Sequence, residues 1–262
     1  MRNAALWTSG LVAGTANTLR HRLQGYRRPR RFPNDDYDRA FAHAFEVVDR
    51  WQERGRIDPT GRRVLEIGPG SDLGTGAVLL SRGAASYTAV DRFDLASSAP
   101  KEFYRRFGNA LPEALVFVCD RFPDLPRITG PFDLVVSNAT LEHLEDVATL
   151  FVRLRQLLVG GGRMVHHVDA KTHMRWFERV DPLNIYRYSD TVYRTLLDFP
   201  GAPNRLLAGD YVDAARSAGF RAEVVPGQEA SSAYLAATCP GLARRFRARH
   251  DLSLLSFTLI CS

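Results

Sequence analysis

A glycine-rich turn between a predicted strand and a predicted helix is the feature that most constrains this sequence. Val64–Ile67 is typical of a short buried strand with one acid near its end. Gly68-Pro69-Gly70 breaks this strand, and a helix can begin at Gly74. Glycine is needed in such a turn because the backbone must approach a ligand and can adopt positive φ there. A strand, a glycine turn and a helix N-terminus together form a typical site for a nucleotide-like ligand.

The turn is similar to two kinds of nucleotide site. Gly68 and Gly70 match the first half of the G-x-G-x-x-G fingerprint of dinucleotide-binding proteins, but Leu73 replaces its third glycine. With Glu66, the E-x-G-x-G pattern instead resembles motif I of the class I S-adenosylmethionine (SAM) methyltransferases. The resemblance implies that Glu66 orients the turn and the methionine end of SAM.

The rest of the chain alternates strands and helices. Predicted strands at 64–67, 86–90, 114–119, 130–138 and 163–169 are separated by helical segments, which predicts a doubly wound parallel sheet. Two further strands are predicted at 220–225 and 252–261, the last of them antiparallel. The expected fold is therefore an α/β, Rossmann-like, mostly parallel seven-stranded sheet with an N-terminal helical arm and an aromatic lid insertion.

Polar residues stand at the predicted strand ends, where ligands of such sheets bind. Asp91 follows Gly68 by 23 residues and can accept hydrogen bonds from both ribose hydroxyls, unless it is only a solvated turn acid. The resemblance implies an adenine contact for Asp120 and a position beneath the sulfonium for Asn138. The predicted cofactor-binding residues are Glu66, Gly68, Pro69, Gly70, Asp91, Arg92, Asp120, Arg121 and Asn138.

Residues 170–207 do not read as a further strand and helix. They are rich in aromatic residues and proline, which predicts a substrate lid, although a loop that simply packs on the body fits as well. The sequence from His166 to Tyr211 partly resembles methyltransferase-domain proteins of bacterial polysaccharide and secondary-metabolite clusters, through His166-x-x-Asp169-x-x-x-His173, Asp181-Pro182-Leu183-Asn184, Tyr188-Ser189, Asn204-Arg205 and Asp210-Tyr211. The predicted substrate-binding residues are His143, Tyr188, Asn204 and Arg205.

These features predict a SAM-dependent methyltransferase that acts on an oxygen, or less readily a nitrogen, of a small molecule or sugar. Histidine suits removal of a hydroxyl proton, and His166 is the first candidate, with His173 second and His167 third. Asp169 would orient the imidazole if strand five ended between His166 and Asp169. Two alternatives stay open: a metal-assisted transfer with His166, Asp169 and His173 as ligands, and a non-catalytic scaffold of the same fold.

Charge is concentrated at the N-terminus. Residues 1–31 hold seven arginines and no acid, so the net charge of +6 leaves −1 for the remaining chain. This distribution argues against a nucleic-acid groove and predicts a basic arm at 1–33, with possible membrane or protein contact, before a methyltransferase domain at 34–262. Three scattered cysteines and the lack of a long apolar run favour a cytoplasmic location. The oligomeric state stays open.

Overall fold

Seven strands form one sheet in the computed structural model, which describes residues 2–23, 36–108 and 115–262. The strand order is β3-β2-β1-β4-β5-β7-β6. The strands are β1 (Arg63–Ile67), β2 (Ser86–Asp91), β3 (Leu115–Cys119), β4 (Phe132–Asn138), β5 (Leu158–Asp169), β6 (Ala222–Pro226) and β7 (Ser256–Cys261). Only β7 runs antiparallel to its neighbours β5 and β6. The predicted fold class is confirmed.

Helices cover both faces of the sheet. The helices are α1 (Arg2–Leu23), α2 (Tyr37–Gly55), α3 (Gly74–Ser81), α4 (Lys101–Arg105), α5 (Val147–Leu157), α6 (Arg175–Val180), α7 (Asp190–Val192), α8 (Ala208–Ser217) and α9 (Ser232–Thr238). A π-helical turn, Tyr193–Leu197, continues α7. Among the described residues, every helix is too short or too polar to cross a bilayer.

Two apolar layers hold the sheet between its helices. On one face, Trp51 of α2 and Leu79 of α3 pack with strand residues in one buried cluster. On the other face, Phe151 of α5 and Tyr211 of α8 belong to a second cluster. The central strands are buried on both faces, which is why their sequences are continuous apolar runs.

Helix α2 ties the first apolar layer to the carboxyl end of β4. The Asp36 side chain caps the helix by accepting a hydrogen bond from the Arg39 amide at 3.1 Å. At the other end, the buried Trp51 indole donates to the Ser137 carbonyl at 3.1 Å. The sequence also predicts that Asn34 or Asp35 caps this helix, and both of these positions lie outside the described residues.

Helix α1 packs on the segment that was predicted to be a lid. The Asn184 side-chain amide donates to the Leu6 carbonyl at 3.2 Å, and the Tyr188 hydroxyl donates to the Trp7 carbonyl at 3.0 Å. The helix can approach this closely because Gly10 has no side chain. A Cβ there would lie 2.3 Å from the Tyr188 hydroxyl. The predicted domain boundary at residues 33 and 34 lies outside the described residues.

This packing predicts that Gly10→Ala weakens the docking of α1. Alanine favours a helix over glycine by about 1 kcal/mol, but the added methyl collides with Tyr188 and Asn184, and overpacking typically costs about 1–3 kcal/mol. Amides of α1 and of 184–197 should therefore exchange with deuterium faster in Gly10→Ala. Thr8→Ala, at an exposed position, is the control. Unchanged or slower exchange in Gly10→Ala would contradict the observed packing.

Candidate active site

A cavity of about 1380 Å³ opens at the carboxyl ends of β1, β2, β3 and β4. The topological switch point lies here, because the chain leaves β1 toward β2 on one side and β4 pairs with β1 on the other. All nine predicted cofactor-binding residues line this cavity. It exceeds the roughly 300–1,000 Å³ of a typical ligand pocket, so a cofactor and an acceptor can share it.

The turn after β1 forms one wall of the cavity. Gly68 and Gly70 have φ angles of 69° and 79°, which explains glycine at both positions. A Cβ on Gly68 would lie 2.3 Å from the Thr140 methyl, whereas one on Gly70 would meet no heavy atom within 4 Å. The first glycine thus permits close packing of two loops, and the second leaves open space in the cavity wall.

Glu66 lies beneath this turn with 2% of its surface exposed. Its carboxylate accepts a hydrogen bond from the Thr75 hydroxyl at 2.6 Å and another, shorter one from the Tyr87 hydroxyl. Burial raises the pKa of Glu66 to about 7, although both hydrogen bonds favour the ionised form. The Glu66 carboxylate is therefore held in place by its hydrogen bonds, and a charged ligand in the cavity would change its ionisation.

The two other predicted acids also stand at strand ends. The Asp91 carboxylate accepts from the Gly70 amide at 3.2 Å and from the Phe93 amide at 3.0 Å, and burial raises its pKa. The Asp120 carboxylate accepts from the amides of Arg121 and Arg127, both at 2.8 Å. These backbone bonds hold each carboxylate in a fixed orientation at the cavity edge.

Asn138 and His143 belong to the opposite wall, where β4 ends. The Asn138 side-chain oxygen accepts from the Arg50 guanidinium at 2.9 Å. The His143 Nδ1 atom lies 2.7 Å from the Gly201 carbonyl oxygen, so His143 meets the predicted lid segment. Burial, and next the charge of His173, lower the pKa of His143 to about 4. The imidazole is therefore neutral at neutral pH.

The predicted base, His166, lies outside the cavity, and its assignment is corrected. It is fully buried, its Nδ1 lies 2.8 Å from the Ser137 hydroxyl oxygen, and its ring stacks on Phe151. Strand β5 continues through Asp169, so the two side chains point to opposite faces and Asp169 cannot orient His166. A buried imidazole with no path to the cavity cannot take a proton from a substrate.

The other predicted catalytic residues do not line the cavity either. Burial lowers the pKa of His167 to about 4, and the Asp169 carboxylate accepts from the Lys171 amide at 3.0 Å. His173 packs beside His143 with ring centroids 4.8 Å apart. The alternative metal site of His166, Asp169 and His173 is also corrected. His166 faces Ser137 and cannot bind the same ion as Asp169 and His173.

Three predicted substrate contacts support the lid instead of lining the cavity. Tyr188 anchors α1, as described above. The Asn204 side-chain amide donates to the carbonyls of Leu141 and Leu144, each at 2.9 Å. The Arg205 guanidinium donates to the Ile185 and Tyr188 carbonyls at 3.2 and 2.7 Å. Their predicted role in substrate binding is corrected, because these polar groups form hydrogen bonds to the backbone within the fold.

Several cavity residues had no signal in the sequence. His43 comes from α2, and His21 comes from α1, where its ring stacks on Phe199 with centroids 4.4 Å apart. Phe199, Pro200 and Gly201 bring the lid segment to the same rim. Long-range packing brings these positions together, α1 on the lid segment and α2 on the sheet, and no local motif encodes it.

Comparison with known proteins identifies the family. The profile of the methyltransferase-domain family matches residues 35–220. The chain belongs to this family. At the level of the family, this confirms the prediction that the chain is a class I, SAM-dependent methyltransferase with SAM as its cofactor.

Individual relatives match parts of the chain. A malonyl-[acyl-carrier protein] O-methyltransferase of Chlorobium phaeovibrioides is 41% identical over 99 residues, which are 38% of this chain and 37% of that protein. An enzyme of the same name from Halorhodospira halophila is 28% identical over 162 residues, or 59% of this chain and 52% of that protein. The matched parts thus span 37% to 52% of these relatives.

Solved structures share the fold at low identity. A cyclopropane-fatty-acyl-phospholipid synthase-like protein from Lactobacillus casei has a TM-score of 0.54 at 17% identity, with 89% of this chain and 94% of that chain covered. The CurJ carbon methyltransferase has a TM-score of 0.52 at 18% identity, with 99% and 69% covered. Such identities show similarity of fold alone.

The residues of the cavity fit a cationic cofactor. The carboxylates of Glu66, Asp72 and Asp91 line one region of it, and burial raises the pKa of each. Keeping such acids ionised without a counter-charge is unfavourable. SAM carries a positive sulfonium and ammonium, so its binding would offset this cost.

The Asp91 geometry predicts that Asp91→Ala weakens SAM binding by about 1–3 kcal/mol, because charge-assisted hydrogen bonds to the ligand are lost. Calorimetry on the folded variant measures the change. Asp94→Ala is the matched control, since Asp94 is exposed and outside the cavity lining. Equal affinities of wild type and Asp91→Ala would remove Asp91 from the site.

The raised pKa of Glu66 predicts proton release when SAM binds. A cation in the cavity favours the carboxylate, so the bound pKa falls below the free value of about 7. The affinity should then increase as the pH rises toward about 7, the pKa of Glu66 in the free protein. Calorimetry in buffers of different ionisation enthalpy measures the released proton. Glu66→Gln should abolish that release, and a wild-type enthalpy independent of the buffer would contradict the prediction.

Proposed function

We propose that this chain transfers a methyl group from SAM to an oxygen atom of a small acceptor. The observation that carries the proposal is a single cavity with two chemically different ends. One end is bounded by the glycine turn and the strand-end acids, and the other by His143 and the lid residues Phe199 and Gly201. Such a cavity can hold a charged cofactor and an acceptor side by side.

The end with the glycine turn and the acids, called the cofactor end below, would hold the cofactor. Asp91 and Asp120 supply fixed carboxylate acceptors for ribose and adenine, and Glu66 supplies negative charge beneath the turn. When bound, SAM supplies an electrophilic methyl group on a sulfonium. Because the protein forms no bond to that group, its main contribution is to align the acceptor and to exclude water.

The end with His143 and the lid residues, called the acceptor end below, would hold the acceptor. Of the predicted catalytic and substrate-binding residues, His143 is the one that lines the cavity. Its bond to the Gly201 carbonyl fixes the ring and leaves Nε2 for the acceptor. A neutral imidazole can accept a hydrogen bond from a hydroxyl group. With a pKa of about 4, however, it is a weak proton acceptor at neutral pH.

An oxygen acceptor is favoured by the names of the relatives, which are O-methyltransferases. Carbon methylation is the second candidate, because the fold of a carbon methyltransferase covers 99% of this chain. A sugar acceptor, a role in polysaccharide or secondary-metabolite synthesis and a cytoplasmic location remain predictions.

Turnover tests the proposal. The full chain is incubated with SAM labelled at the methyl carbon and a panel of hydroxyl and carboxyl acceptors, including sugars and malonyl thioesters. Mass spectrometry then locates the label. A methyl ether or ester supports O-transfer, and a C-methyl product contradicts it. Tight SAM binding with no transfer to any acceptor would favour the scaffold alternative.

The His143 assignment predicts that His143→Ala lowers kcat by up to roughly tenfold, because a hydrogen bond that orients the acceptor is lost, while SAM affinity changes little. Single-turnover kinetics and calorimetry measure the two effects separately. His250→Ala is the control, since His250 is exposed and outside the cavity lining. A His143→Ala enzyme with wild-type kcat would exclude a role for this imidazole.

A further inference from the structure

Three side chains with metal-binding chemistry meet beside the acceptor end of the cavity. Glu142 and His143 belong to a 3₁₀ turn after β4, and His173 lies in the loop that follows β5. Each offers one ligand atom, and these three atoms lie within 4.8 Å of one another. The three residues are called the Glu142–His143–His173 cluster below.

The two imidazoles are held as metal ligands usually are. His143 faces the Gly201 carbonyl with Nδ1, which leaves Nε2 available. His173 hydrogen-bonds to the backbone of Asp169. Histidines that bind metals almost always donate their second ring N–H to a carbonyl or carboxylate, which fixes the ring and exposes the other nitrogen. Both rings have such a backbone partner.

Glu142 supplies an independent observation. It is 2% exposed, and one oxygen, Oε1, accepts from the Asp169 amide at 3.2 Å. The other oxygen, Oε2, is buried with no hydrogen-bond partner among the described residues. An unpartnered buried carboxylate oxygen is unfavourable. A cation between Glu142 and the two imidazoles would satisfy it.

The positive charge of Lys171 acts on His173, but its ammonium group is already engaged elsewhere. The Lys171 ammonium lies 3.1 Å from Glu178 Oε1, 3.2 Å from Gln228 Oε1 and 3.5 Å from Asp169 Oδ2. Its three donors therefore have partners other than Glu142. An internal salt bridge does not account for the buried carboxylate.

We propose that Glu142, His143 and His173 bind one divalent transition-metal ion. Two imidazoles and one carboxylate suit Zn²⁺, Co²⁺, Mn²⁺ or Fe²⁺ and leave further coordination positions open. Metal–ligand bonds of about 2.0–2.2 Å require the cluster to contract. His173 can move inward, because it is exposed and lies in a loop. These three ligands replace the ligands His166, Asp169 and His173 that the sequence suggested, of which only His173 is kept.

An ion in this position would complete the acceptor end of the cavity, since His143 lines it. The open coordination positions could take an acceptor oxygen and lower the pKa of its hydroxyl group. With the ion bound, Nε2 of His143 would be a metal ligand and would reach the acceptor only through the ion. This use rests on the proposed function, whereas the binding of the ion does not. The two are therefore tested separately.

Direct titration tests the metal site. The full chain is freed of metal with a chelator and titrated with Co²⁺, whose visible absorption reports imidazole and carboxylate ligation. The expected result is one Co²⁺ per chain in the wild type. His173→Ala and Glu142→Gln should bind at least roughly tenfold more weakly, as expected when a ligand is lost. The matched control His250→Ala should behave as wild type.

Calorimetry with SAM on the same samples keeps the outcomes distinct. His173→Ala should bind SAM as wild type does, because His173 lies outside the cavity lining, and this also verifies folding. Equal Co²⁺ affinity of wild type and His173→Ala, or an equal loss in His250→Ala, would overturn the metal site. Neither of these results would contradict SAM binding or the proposed methyl transfer. A Glu142→Gln variant that does not fold leaves His173→Ala to decide.

Discussion

The close approach of the loops after β1 and β4 is the constraint on which the site depends. The Thr140 hydroxyl donates to the Gly68 carbonyl at 3.2 Å, and the Thr140 methyl occupies the space that a side chain at Gly68 would need. Because the two strands pair in parallel, both loops leave the same edge of the sheet. Gly68 and Thr140 both line the cavity, so this part of its wall depends on a residue that has no side chain.

Desolvation gives that cavity its electrostatic character. Burying Glu66, Asp72 and Asp91 near one another disfavours ionisation, and hydrogen bonds from Thr75, Gly70 and Gly74 offset part of this cost. Backbone and hydroxyl donors can stabilise a carboxylate but carry no formal charge. The remaining imbalance makes the region selective for a ligand with positive charge, which is a property of SAM.

The sheet and the cofactor end could be predicted from sequence because both follow local rules. A polar residue at the end of a buried parallel strand must emerge at one edge, so Glu66, Asp91, Asp120 and Asn138 were placed correctly at the cavity. The acceptor end follows no such rule. Tyr188 and Arg205 are polar and lie in the lid, but their directions are set by α1 and by carbonyls distant in sequence. His166 failed for a local reason: β5 continues through Asp169, and the alternation of a strand then turns the side chains of His166 and Asp169 to opposite faces.

The same topology explains how a second polar centre arises next to the first. Asn138 and His167 are register partners, so the chain leaving β4 and the chain leaving β5 emerge side by side. The first carries Glu142 and His143 and the second carries His173, about thirty residues later, which no sequence spacing suggests. Asn204 then fixes the turn by bonding to the Leu141 and Leu144 carbonyls, while the Glu142 carbonyl accepts from the Asn204 amide at 2.7 Å. The cofactor end is thus built at the strand ends and by the loop contact between Gly68 and Thr140, whereas the acceptor end also needs the lid. Changes in the lid should therefore alter acceptor chemistry without disturbing the cofactor end.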